Sequence, residues 1–273
     1  MKLQSIITRI GCKRTLRNYI EKLIPQHEFY VEPFCGSAYV FFYSISNEIP
    51  SVLNDLDSEL ISMFKLLQRG LDADKFEPIY TKELMRDCYS KQNNGRPRFR
   101  KMFVDLLHKE DKSNELLYQL YSIKTSCTYS FTPYTNPNSL YRIPGRKRVN
   151  PTQNELDDFK DKLKNTELLS QPALSVMKKY DIEDCFMYLD PPYEKSGRFY
   201  KHNSNDNLFP ILTFMSTCKS KVLLSYNDSK SVIDKAKELG LYTHIYFLKK
   251  SVGDSAIGRD RSELFVSNYP LPI

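Results

Sequence analysis

The run Cys185-Phe186-Met187-Tyr188-Leu189-Asp190-Pro191-Pro192-Tyr193 decides the reading of the whole chain. Five apolar residues end abruptly on an acid and two prolines, the mark of a short buried strand that is stopped rather than continued. Its carboxyl end therefore carries an acid, a rigid carbonyl and an aromatic ring together. In open α/β sheets, that edge is where ligands bind.

Those groups suit methyl transfer to an exocyclic amine on a planar base. Such a nitrogen is a weak nucleophile, because its lone pair is delocalised into the ring. A carboxylate at Asp190 and the carbonyl of Pro191, each accepting one N–H, push the nitrogen toward tetrahedral geometry and free the lone pair. The prolines, Pro191 and Pro192, stiffen the backbone and bring no competing donor. Tyr193 is then placed to stack on the base and hold it face-on for in-line attack. Whether Asp190 finally takes the proton stays open. The plainer alternative is a strand ending in a Pro-Pro turn beside an incidental acid and tyrosine.

A second element lies upstream. Phe29-Tyr30-Val31 reads as a strand, followed by Glu32-Pro33-Phe34-Cys35-Gly36-Ser37-Ala38 and an apolar helical stretch over residues 39–45. Strand, glycine-containing turn and helix make a nucleotide-type cradle in which Gly36 lets the backbone approach a ligand closely. Val52-Leu53-Asn54-Asp55 is a second strand ending in an acid, the position from which a carboxylate accepts ribose hydroxyls. A helix cap is the competing reading of Asp55. Asp57 is the better cap for the helix that runs to Arg69, which leaves Asp55 for the ribose.

With these pieces in order, the chain resembles the Dam-type (D12 class, α motif order) DNA adenine-N6 methyltransferases. Arg9-Ile10-Gly11-Cys12-Lys13-Arg14 matches the family's opening segment, residues 32–38 its cofactor cradle, Asp55 its ribose acid and Asp190 to Tyr193 its catalytic tetrapeptide. Val222 to Asp228 resembles its post-catalytic strand, and Glu263 to Tyr269 its terminal strand. The resemblance implies an S-adenosylmethionine-dependent enzyme that leaves S-adenosylhomocysteine and uses no metal. It places Lys13, Phe34, Gly36, Asp55 and Asp190 at the cofactor, with Lys13 reaching the cofactor carboxylate. A target atom inside a duplex is out of reach, so the adenine flips out. The chain departs from the family at Arg9, Cys12 and Ala38, where an aromatic and two glycines are common. Ser175-Val176 stands near the place of an acid-aromatic pair.

The fold expected is α/β: a Rossmann-like methyltransferase sheet formed by residues 1–70 and 151–273, with a mostly helical DNA-recognition lobe inserted at 71–150. A chain of 273 residues can hold both. The charge agrees with that division. The net formal charge is +7, yet residues 82–150 hold fourteen Lys/Arg against six Asp/Glu, so the remainder is close to neutral. A phosphate backbone attracts such a lobe, although a merely solvated basic lobe has the same count. Arg96 and Arg98 precede a helix with Phe99, Met102, Phe103, Leu106 and Leu107 at helical spacing, and are candidate phosphate contacts. Farther on, rings, hydroxyls and bases interleave up to Arg142, Arg146 and Lys147. These are candidate DNA contacts, with no choice between base edge and phosphate.

Six cysteines, at 12, 35, 88, 127, 185 and 218, form no C-x-x-C pair, which argues against a zinc site and for reduced thiols. No signal peptide or long apolar stretch is evident, and cytoplasmic residence is the expectation. Residues 194–205 read as either a lid or a plain surface loop. After Pro151, helices at 154–164, 207–218 and 229–239 alternate with strands at 221–226 and 242–248, and a last strand over 263–267 closes an antiparallel hairpin. Double-stranded DNA is the partner implied, with a cognate restriction endonuclease as a further possibility. Methylation of cytosine N4, an RNA base or a protein glutamine are alternatives, as is an inactive DNA-binding homologue.

Overall fold

A computed structural model describes Leu3 and residues 12–72, 152–193, 208–248 and 262–272. Its strands are β1 Phe29–Glu32, β2 Ser51–Asn54, β3 Thr166–Leu169, β4 Cys185–Leu189, β5 Lys221–Asn227, β6 Tyr242–Phe247 and β7 Ser262–Ser267. They form one seven-stranded sheet in the order β3-β2-β1-β4-β5-β7-β6. Strands β1 to β5 run parallel; β7 lies antiparallel between β5 and β6.

The chain steps outward from β1 to β2 and β3, then returns to lay β4 against the other side of β1. The strand order thus reverses between β1 and β4. That reversal opens the crevice in which α/β sheets bind ligands, and it puts the cradle and the Pro-Pro tetrapeptide side by side. The antiparallel insertion has its own consequence. Because β7 runs against β5, its beginning lies where the parallel strands end, and Glu263 pairs with Asn227 there.

Among the described residues seven α-helices cover the two faces: α1 Arg17–Leu23, α2 Tyr39–Ser44, α3 Ser58–Arg69, α4 Gln153–Leu163, α5 Ala173–Lys179, α6 Phe209–Met215 and α7 Lys230–Glu238. Successive strand side chains point to opposite faces. Tyr30, Leu53, Phe186, Tyr188, Leu223 and Phe265 pack with Ile20, Phe41, Phe42, Phe64 and Phe159 from α1 to α4. Val31, Val52, Met187, Leu189, Leu224 and Val266 face Val176, Met177, Leu212, Met215 and Val232 from α5 to α7. A strand covered on both sides is apolar throughout, which is why β4 reads as an unbroken apolar run.

The elements expected at residues 39–45, 154–164, 207–218, 221–226, 229–239 and 242–248 are present with small shifts at their ends. The spacing of Leu16, Ile20, Leu23 and Ile24 predicts a helix over 13–24, and the observed helix is shorter. A 3-10 turn, Lys13–Thr15, precedes α1, which stops ahead of Pro25. Asp57 caps α3 as expected, its carboxylate accepting the Leu60 N–H at 3.2 Å. Strand β3 and helix α5 were not anticipated. Val176 is a fully buried core residue of α5, so the Ser175-Val176 position is occupied by packing. The expectations for residues 73–151, 194–207 and 249–261 lie outside the described residues, and so do Arg96, Arg98, Arg142, Arg146 and Lys147.

Candidate active site

Asp190 emerges from β4 with its carboxylate only 22% exposed, and the loss of water pushes its carboxyl above the ordinary value. The Lys13 ammonium opposes that push, donating to Asp190 Oδ1 at 2.7 Å. Ser225 of β5 adds a longer contact to the same oxygen at 3.4 Å. Among the described residues both donors meet Oδ1. Oδ2 is therefore the oxygen left to accept from a substrate.

Lys13 itself is 5% exposed, although it sits in a three-residue turn. It also donates to the Tyr193 hydroxyl at 3.0 Å and lies 3.4 Å from Glu263 Oε1. An ammonium has three N–H groups, and among the described residues these three oxygens lie within their reach. The two carboxylates keep Lys13 charged against burial, so its pKa stands above the ordinary lysine value even though desolvation pulls it down. The sequence reading assigned Lys13 to a cofactor carboxylate; among the described residues its ammonium meets Asp190, Tyr193 and Glu263.

Tyr193 is fixed at both ends. Its hydroxyl donates to Glu263 Oε1 at 2.6 Å, and its ring meets Tyr226 edge-on with centroids 5.0 Å apart. Burial, and then the neighbouring carboxylates, drive its phenol far above the ordinary tyrosine value, so it stays protonated. Pro191 is buried and Pro192 half-buried beside it. Glu263, 7% exposed, was quoted in the sequence only as part of a terminal strand. Its one signal there was an acid at the start of an otherwise apolar strand.

The cradle between β1 and α2 is tied from below by Asn54. This fully buried side chain donates to the Pro33 and Gln171 carbonyls, each at 2.9 Å, and accepts the Gln171 N–H at 2.9 Å. Its own carbonyl accepts the Cys35 N–H at 2.8 Å. Asn54 thereby joins the turns after β1 and β3, a role its place in Val52 to Asp55 did not reveal. Asp55 accepts the Gly36 N–H on Oδ2 and the Asp57 N–H on Oδ1, both at 2.9 Å. It was expected to stand free for a ribose, yet it also shapes the turn.

Gly36 adopts φ +48°, and among the described residues a Cβ there would meet nothing within 4 Å. With respect to those residues the turn is open at this point, as a backbone that receives a ligand must be. Phe34, in the same turn, is half-buried against the core. Ala38 also has a positive φ, +50°, which explains the glycine common at this place: an L side chain is strained there. Behind the turn, Glu32 is 2% exposed and accepts the Tyr30 hydroxyl at 2.9 Å and the Phe41 N–H. Burial holds its carboxyl well above the usual range.

Comparison with known proteins identifies the family. The model of the D12 class N6 adenine-specific DNA methyltransferases matches residues 10–250, most of the chain. The chain belongs to that family. Its similarity to "Type II methyltransferase M.CviBI" of Paramecium bursaria Chlorella virus NC1A is 22% identity over 228 residues, covering 81% of this chain and 82% of the viral protein. It is 23% identical over 266 residues to the "DNA N-6-adenine-methyltransferase" of Escherichia phage P1, covering 91% of this chain and 33% of the phage protein.

This chain is accordingly a DNA adenine-N6 methyltransferase, and S-adenosylmethionine is the cofactor its family uses. The open turn at Gly36, with a carboxylate at the end of the adjoining strand, fits that cofactor's ribose and the backbone approach it needs. Four cysteines lie among the described residues of the methyltransferase, Cys12, Cys35, Cys185 and Cys218, none of them in a disulfide. Burial pushes the Cys185 thiol up to about 12, which suits packing rather than nucleophilic work. Among the described residues no helix is long and apolar enough to cross a membrane.

Proposed function

We propose that the methyltransferase modifies a specific site in duplex DNA, acting on an adenine flipped into the crevice between the β1 and β4 ends. When bound, S-adenosylmethionine supplies an activated methyl group. The protein then has to position and polarise the amine. Asp190 Oδ2 and the Pro191 carbonyl each accept one N6–H, Pro192 keeps that carbonyl in place, and Tyr193 stacks on the base. Lys13 neutralises Asp190 at Oδ1 without reaching the amine.

Gly36 and Phe34 shape the cofactor cradle, and the Asp55 carboxylate, at the end of the strand adjoining that turn, accepts ribose hydroxyls. Asp190 also borders the cofactor at its methyl end. Lys13, at the head of the same site, reaches the cofactor's carboxylate. Arg96, Arg98, Arg142, Arg146 and Lys147, within an insertion spanning 71–150, grip the DNA. The excess positive charge of that stretch supports this assignment. No metal takes part, S-adenosylhomocysteine is the product released, and a cognate endonuclease would read the same site.

The observation that carries the reading is the anchoring of Asp190 at one oxygen, Oδ1, with the other left to a substrate. The test offers mixed-sequence duplex DNA, the same strands singly, and RNA, each with methyl-labelled S-adenosylmethionine, followed by hydrolysis to nucleosides. Label in N6-methyladenine from the duplex, far above the other two, is the expected result. Equal or greater labelling of single strands or RNA would overturn the duplex and base-flipping reading.

A further inference from the structure

Glu263 is a second buried carboxylate at the site, and the reaction as read above leaves it without a task. It enters from the far side, on the antiparallel strand β7, whose first residues reach the ligand edge because that strand runs against β5. The Tyr193 hydroxyl donates to its Oε1 at 2.6 Å, and the Lys13 ammonium is 3.4 Å from the same oxygen. Its side chain is 10% exposed, and its hydrogen-bonding partners belong to the catalytic cluster.

One ammonium thus stands between two carboxylates, and with all three groups ionised the cluster carries a net charge of −1. Without Glu263, Lys13 would face one carboxylate fewer, pair more strongly with Asp190 and blunt it as an acceptor. A net negative cluster also favours the positive charge that develops on the target nitrogen as the methyl group arrives, an interaction strengthened by exclusion of water. The Tyr193 ring gains orientation as well. With its hydroxyl held by Lys13 and Glu263 and its edge against Tyr226, the ring plane is fixed before any base meets it.

We propose that Glu263 is a positioning residue for methyl transfer: it draws Lys13 between two carboxylates and locks Tyr193, so that Asp190 keeps its acceptor strength toward the amine. The inference rests on the assignment of Asp190 and Tyr193 given above. It concerns the rate of transfer, with DNA and cofactor affinity left to other residues.

The test compares wild type, Glu263→Gln, Tyr193→Phe and Asp190→Asn in single-turnover transfer at saturating DNA and S-adenosylmethionine, with calorimetric binding of both measured in parallel. Glu263→Gln keeps an acceptor for the Tyr193 hydroxyl and removes the charge. It is expected to lower the transfer rate constant at least about tenfold, as small losses of alignment do, with both affinities unchanged. The acid limb of its pH–rate profile should move to lower pH, because Asp190 then faces Lys13 without a second carboxylate across Lys13 and Tyr193. Tyr193→Phe cuts the hydroxyl link with Glu263 intact, and is expected to lose rate to a smaller extent; it serves also if the glutamine variant fails to fold. Wild-type rates in both variants, or a loss confined to affinity, would overturn the proposal. If Asp190→Asn also transfers at the wild-type rate, the reading of the site itself fails. If Asp190→Asn is inactive while Glu263→Gln is normal, only the role of Glu263 does.

Discussion

The Lys13 ammonium lies 2.7 Å from Oδ1 of Asp190, a pairing made across 177 residues of chain. Desolvation already raises the Asp190 carboxyl, and Lys13 is the largest influence holding it down. Lys13→Met removes that influence, so the carboxyl rises further and is protonated at a higher pH. The acid limb of the pH–rate profile should therefore move upward, with roughly a hundredfold loss of transfer rate at neutral pH from the misplaced acceptor. Single-turnover assays across pH measure both. An unmoved acid limb would show that Lys13 does not govern Asp190.

Glu32 makes stability depend on pH. Its folded carboxyl sits well above the ordinary 4.5 because it is buried, so the native state binds a proton that the unfolded chain has released. Stability contributed this way is fully present below about 4.5 and is lost as pH rises from there through the raised folded value. Glu32→Gln should abolish that slope. Its stability relative to wild type is predicted to improve steadily as pH rises, in urea titrations at a series of pH values.

Asn54 joins two turns through three buried side-chain hydrogen bonds. Asn54→Leu keeps the approximate volume and leaves the Pro33 and Gln171 groups without partners. A loss of about 2–4 kcal/mol is expected, since each stranded buried group costs about 1–3 kcal/mol and some recover water. Denaturant unfolding measures it, and cofactor affinity should fall alongside because the cradle rests on this residue.

Gly36→Ala separates backbone strain from ligand contact. At φ +48° an alanine costs about 1 kcal/mol, and its Cβ would meet no atom of the described residues within 4 Å, so the fold should survive. The turn it stands in is the one assigned to the cofactor. Calorimetry should therefore show a drop in S-adenosylmethionine affinity well beyond the small stability loss.

How far the residues announced this arrangement depends on how local each signal was. Strand β4 and its tetrapeptide were legible because five apolar residues and two prolines lie together in sequence. Asp57 as a cap was legible for the same reason, the cap and its helix being adjacent. Strand β3, Thr-Glu-Leu-Leu, was not: it is four residues long at the sheet edge, with Glu167 facing solvent, so its apolar pattern is too short to stand out. Lys13 was marked by position, but its partners lie on segments far along the chain. Glu263 was least visible, because its task arises only from the antiparallel insertion of β7 beside β5. Asp55 was read as free, since a hydrogen bond to the Gly36 N–H depends on the turn's geometry.

The account turns on Asp190 presenting one anchored and one available oxygen to the target amine. Asp190→Asn replaces a carboxylate oxygen by an NH2 group and removes the charge while keeping the shape. Single-turnover transfer to duplex DNA, with S-adenosylmethionine binding confirmed by calorimetry on the same preparation, tests it most directly. The account predicts at least about a hundredfold loss of N6-methyladenine formation with the cofactor still bound. Transfer at the wild-type rate would contradict it.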